Sequence, residues 1–166
     1  ARLFARHGAK VAVLARGTGD AAHRRAVERA AGRLTRELCR QLAVDPVAVR
    51  VLARRPHSDE AELHGLYIWE PGRRARIQLW LRTARRRQVV AFRTFLRTLL
   101  HELCHHLDFH RFELEDSFHT EGFFRRESQL ARSLLAGQGQ GDGSGGAEPQ
   151  RKRPAQLALP LAGERQ

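Results

Sequence analysis

The chain reads as amphipathic segments separated by short polar breaks. Residues 20–43 carry Val27, Ala31, Leu34, Leu38 and Leu42 at helical spacing, with Asp20 placed to cap the first turn. The opposite face presents Arg25, Arg29, Arg33, Arg36 and Arg40. Pro46 closes this region, because the residue before a proline is disfavoured in helical conformation. Beyond it the period shortens to two. Val47, Val49 and Val51 alternate within 47–54, and residues 63–69 are rich in aromatic and β-branched side chains. Residues 75–82 alternate again, with Ile77, Leu79 and Leu81 on one face and Arg76, Gln78, Trp80 and Arg82 on the other. Glu70-Pro71-Gly72-Arg73 is a turn signal, so 63–69 and 75–82 predict an antiparallel hairpin. Residues 10–15 alternate weakly and predict a short strand, ahead of a glycine loop at 17–19.

The helical period returns at 88–109. Phe92, Leu96, Leu99, Leu100, Leu103 and Leu107 form a wide apolar stripe there. An acidic and aromatic connection over 110–118 leads to a last helix at about 121–136. On that helix Phe123, Glu127, Leu130 and Leu134 share one stripe, and Gly137 ends it. Glycine, glutamine and serine then dominate, and residues 137–166 read as a flexible linker and disordered tail. The pattern predicts an α+β domain over residues 1–136, built as a small, mainly antiparallel sheet packed on helices.

Charge narrows the partners. The net charge is +12 over 166 residues. The tail carries four Lys/Arg and three Asp/Glu, so nearly all the excess belongs to the domain. Such a surface favours nucleic acid or an anionic membrane face. An arginine-rich, lysine-poor composition also arises from a GC-biased coding sequence, and a charged helix face is commonly just a solvated one. Cys39 and Cys104 do not make a disulfide framework, which points to a reducing, cytoplasmic compartment. No apolar run approaches the roughly 18 residues of a membrane span.

The chemistry concentrates in His101-Glu102-Leu103-Cys104-His105. Residues four apart on a helix share a face, so His101 and His105 can offer imidazole nitrogens to one metal ion. Glu102 is turned about 100° away and can act as general base on a metal-bound water. A catalytic zinc site needs a third protein ligand. His119, fourteen residues beyond His105, and Glu127, twenty-two beyond it, are the two candidates. Glu127 can instead accept from a ligand imidazole or pair with an arginine. His106, His110, Asp108 and Asp116 are expected to be surface or supporting groups. The strand preceding the metal helix, with Ile77, Leu79 and Leu81, is the candidate edge for binding an extended peptide by strand addition; the alternative is an ordinary amphipathic strand.

His101-Glu-Leu-Cys-His105 followed by His119-x-x-x-Phe123 resembles the SprT-like zinc metallopeptidases. The resemblance covers about residues 75–135. It implies a zincin-like fold with the motif on a central helix, one Zn2+ held by His101, His105 and His119, and Glu102 as the base. It also implies a protein or peptide substrate, carried on DNA in the members that repair DNA–protein crosslinks. Two departures stand out. The chain lacks the cysteine-rich zinc ribbon of some members, and Thr-Glu-Gly follows His119 where the family often has glycine or serine. In the tail, Gln156-Leu-Ala-Leu-Pro-Leu161 resembles the peptides that dock bacterial proteins on the replicative sliding clamp, which makes the clamp a candidate partner. Two other functions fit the same residues: a non-catalytic zinc-binding protein serving nucleic-acid binding or regulation, and a basic DNA-binding protein whose H-E-x-x-H is accidental.

Overall fold

The computed structural model describes residues 17–56 and 63–135. The strand predicted at 10–15 and the tail with Gln156–Leu161 lie outside the described residues. Helix α1 spans Ala21–Gln41, capped by the Asp20 carboxylate, which accepts from the His23 backbone N–H at 2.7 Å. Its apolar stripe is buried as predicted, from Val27 through Leu34 to Leu38. Three strands follow: β1 (Ala48–Arg54), β2 (Gly65–Ile68) and β3 (Arg76–Arg82). The turn between β2 and β3 closes with a hydrogen bond from Arg73 N–H to the Glu70 carbonyl at 3.1 Å. Gly72 there adopts φ 76°, a conformation that glycine reaches without steric cost.

The hairpin is antiparallel as expected, with Tyr67 opposite Ile77 and Gly65 opposite Leu79. The sheet as a whole is mixed rather than mainly antiparallel. Strands joined by a hairpin run in opposite senses, and the one that runs with β1 is β3, which takes the place beside it. The order is therefore β1-β3-β2, with β1 parallel to β3. That order overturns the predicted substrate edge. Strand β3 is central and hydrogen-bonded on both sides, and Ile77, Leu79 and Leu81 are at most 1% exposed in the core. Their alternation marks a core face. Trp80, expected on the polar face, is buried as well.

Helix α2 runs from Phe92 to His110. It starts four residues later than the stripe predicts, because Val89 bridges to Arg82 and Val90 N–H donates to the Leu81 carbonyl at 2.8 Å. Those backbone groups belong to the sheet's margin, so the helix cannot use them. Helix α3 spans Glu121–Leu135. Helix α1 packs on β1, α2 packs on β2 and β3, and α3 packs on α2. One apolar core joins Val49, Val51, Ile77 and Leu79 of the sheet to Leu34 and Leu38 of α1 and Leu99 and Leu103 of α2.

The two outer strands are treated differently. At β1, Glu28 of α1 accepts from the Val51 N–H at 2.8 Å and Arg24 donates to the Val51 carbonyl at 3.1 Å. Side chains thus cover that edge, a recurrent protection against strand pairing. At β2, the Tyr67 backbone N–H turns instead toward Glu102 of the metal-motif helix. The edge strand beside the motif is therefore β2. Because Leu99 is fully buried where α2 meets the sheet, Leu99→Ala should cost about 2–5 kcal/mol. Urea denaturation followed by circular dichroism measures it.

Candidate metal centre

Three histidines meet beside the C-terminal half of α2. His101 and His105 come from the same helix face, and His119 arrives just before α3. Their candidate ligand atoms all lie within 4.8 Å of one another. His119 Nε2 is 2.9 Å from His101 Nε2 and 3.2 Å from His105 Nε2. Three imidazoles on one tetrahedral zinc stand about 3.3 Å apart at the nitrogen, given Zn–N bonds of about 2.0–2.1 Å. The two separations from His119 lie near that value, and the third pair lies within 4.8 Å.

The outward nitrogens explain why these three atoms converge. His101 Nδ1 is 3.1 Å from Glu127 Oε2. A carboxylate only accepts, so His101 carries its proton on Nδ1 and turns the Nε2 lone pair inward. His105 Nδ1 is 2.7 Å from Ser117 Oγ, and the Ser117 hydroxyl donates to Asp108 Oδ2 at 2.7 Å. With its single proton given to Asp108, Ser117 must accept from His105 Nδ1–H. Both histidines of the motif thus hold the tautomer that leaves Nε2 free to ligate. His119 Nε2 stands at contact distance from both lone pairs, where it can donate its own N–H to them or, with the proton on Nδ1, join them as a third donor to one cation. The donor set fits a divalent metal with a preference for nitrogen ligands.

Asp108 anchors the arrangement from below. It is 1% exposed, accepts from Ser117 and is ion-paired with Arg126 of α3. Its backbone carbonyl also accepts from Leu114 N–H at 2.9 Å. One residue near the end of α2 therefore fastens both the connection and the following helix. Phe123 is fully buried and packs against all three imidazoles, with ring centroids 5.0, 4.7 and 5.0 Å from His101, His105 and His119. This is the physical meaning of the His-x-x-x-Phe spacing: one helical turn below His119, the phenyl ring forms the floor of the site.

Glu127, the other candidate ligand, is bonded to the far side of His101 and lies outside the convergent group. Its second contact is Arg97, at 3.8 Å. It orients the His101 ring, the supporting role that its place on an apolar face allowed. Asp108 is likewise a supporting group. His106 is not a surface residue: it is fully buried and accepts from the Tyr67 hydroxyl at Nδ1, 3.1 Å away, while Nε2–H donates to the Asp45 carbonyl at 2.8 Å. Tyr67 thus commits its hydroxyl proton to His106. Nothing in the sequence pattern by itself singles out Ser117 or Arg126. The available signal is local, since Asp108 stands one turn beyond His105 and Ser117 two residues before His119.

Glu102 is 6% exposed, and burial raises its carboxyl to about 7, partly offset by its electrostatic interaction with His101. Gly65 of β2 makes room for it. A Cβ at that position would collide with the Glu102 carboxylate and would lie 2.7 Å from Thr98 Cγ2. His105 is lowered to about 3 by burial, with repulsion from His101 and His119 adding to it. His119 is lowered for the same reasons, burial first and then His101. Neutral imidazoles are the form that binds metal. No protein-family model, curated protein or solved structure matches the chain.

Two outcomes follow from these contacts. Asp108→Ala should weaken binding of a divalent metal by about 10–100-fold, the usual cost of losing a group that orients a metal-binding imidazole. Competition with a chromogenic chelator measures it, and circular dichroism checks that the variant is folded. The second outcome concerns acid. The folded His105 value of about 3 lies below its ordinary 6.5, so between those values the unfolded chain binds a proton that the folded chain does not. Metal-free protein should therefore lose stability as pH falls below about 6.5. His105→Asn should show a smaller drop in melting temperature between pH 7 and pH 5.

Proposed function

We propose that the protein is a zinc-dependent metallopeptidase of the SprT-like type, hydrolysing peptide bonds in protein or peptide substrates. The observation that carries this reading is the convergence of His101, His105 and His119 Nε2 beside a buried, proton-accepting Glu102. Zinc held by those three nitrogens would supply a Lewis acid and lower the pKa of the attacking water toward about 7. Glu102, held near the same value by burial, takes the proton from the attacking water and passes it to the leaving amine. The absence of a side chain at Gly65 lets the Glu102 carboxylate lie against the margin of β2. An extended substrate chain lies along β2, the edge strand that borders Glu102, in place of the central strand β3.

The excess positive charge supports substrates that are themselves carried on DNA. The Gln156–Leu161 peptide supports delivery to replication sites through the sliding clamp, by raising local concentration there.

The decisive comparison uses purified zinc-loaded protein. Glu102→Gln should keep one zinc per chain while hydrolysis of casein or of a DNA-bound protein falls by about 10²–10⁴-fold. His119→Ala should lose the zinc. A wild-type protein that holds stoichiometric zinc yet cleaves neither substrate, with or without DNA, would refute the peptidase and leave a non-catalytic zinc protein.

A further inference from the structure

A second built feature lies at the other side of the sheet from Glu102. Between α1 and the start of β1 runs an open groove of about 360 Å3. Arg29, Arg33 and Arg36 of α1 line one wall, and Arg74, just before β3, lines the other. Gly32 leaves the helix wall low at its middle, with nothing within 4 Å of where its Cβ would be. Arg74 is held in place by a hydrogen bond from its Nε to the Pro46 carbonyl at 3.3 Å. We propose that this groove binds the phosphodiester backbone of nucleic acid.

Three observations carry the proposal. The first is periodicity. Arg25, Arg29, Arg33, Arg36 and Arg40 fall within about 80° of arc on α1, at steps of about 4.5–6 Å along its axis. That is a row of cations on the scale at which successive phosphates follow one another along a strand. The second is availability. Arg29, Arg33 and Arg36 are exposed, and none of them is drawn into an ion pair among the described residues. The third is the state of the acidic group in the groove. Glu28 is already engaged, accepting from Val51 N–H at 2.8 Å and pairing with Arg50 at 3.5 Å. Even with its charge counted, one carboxylate against four guanidinium groups leaves the groove positive. Arginine is also the residue type suited to phosphate, because its planar fork donates two parallel hydrogen bonds.

The groove uses the edge of β1 that α1 covers, while Glu102 lies beside β2. Nucleic acid held there leaves the metal centre open. The proposal does not depend on the metal centre's chemistry, because an inert zinc site would leave the arginine row unchanged.

The test is fluorescence anisotropy on the full chain with labelled duplex and single-stranded DNA, at several salt concentrations. Arg29→Ala/Arg33→Ala/Arg36→Ala should weaken binding at least about tenfold and lower the slope of log affinity against log salt by about 0.9 for each phosphate that is no longer neutralised. Arg85→Ala/Arg86→Ala/Arg87→Ala removes the same charge from the loop before α2 and should change binding less than about threefold. Circular dichroism and zinc content should be unchanged in both variants. Equal weakening in the two triple variants would overturn the groove in favour of diffuse charge. Wild-type protein that binds neither DNA, or that binds phosphatidylserine vesicles through the same arginines and no DNA, would also overturn it.

Discussion

The site depends on the buried carboxylate of Asp108. A helix can present two histidines one turn apart by itself, but a third must be brought back by the chain that follows. Asp108 does this by holding Ser117 in the connection and Arg126 on α3, within one low-dielectric contact. A buried carboxylate without partners is strongly unfavourable, so the fold that satisfies Asp108 is the fold in which the connection doubles back. His119 follows from that return, two residues beyond Ser117. Phe123 then fills the space beneath the three rings. Asp108 also reaches the metal centre electrostatically, because Ser117 relays its negative charge to His105 Nδ1–H. Glu127 performs the same service for His101 directly. Folding and ligand orientation thus share the same hydrogen bonds.

The sheet supplies the second half of the site. Strand order decides which backbone faces the motif, and the order β1-β3-β2 assigns that place to a four-residue strand. Glu102 reaches it because position 65 is glycine. The burial that raises the Glu102 carboxyl comes from the same close approach of helix to strand. A carboxyl raised to about 7 and a short edge strand are therefore one packing arrangement. On the other flank, α1 places Arg24 and Glu28 on β1 and turns its arginines outward. The molecule has one sheet edge closed by side chains and one bordering the metal motif.

Much of this is legible in the residues. Period-3.6 and period-2 apolar spacing locates the three helices and three strands, and Asp20, Pro71 and Gly72 mark a cap and a turn that the structure contains. H-E-x-x-H and the later histidine identify the convergent group. What is not legible depends on long-range pairing. Alternation in 75–82 shows that a strand has an apolar face, but the same pattern serves an edge strand and a central one. Placement between β1 and β2 is a property of three segments together. Asp108 and Ser117 are common residue types, and only the return of the connection gives them their role. Glu127 is ambiguous in the sequence because a carboxylate on an apolar face meets its need for a partner equally well as a ligand or as an acceptor for one.

The central claim is that His101, His105 and His119 hold one zinc through Nε2. X-ray absorption spectroscopy of the stoichiometric zinc protein tests it directly. The account predicts three imidazole nitrogens at about 2.0–2.1 Å, with a light oxygen donor completing the shell. A shell with two imidazoles and a protein carboxylate, or with a cysteine sulfur, would contradict it.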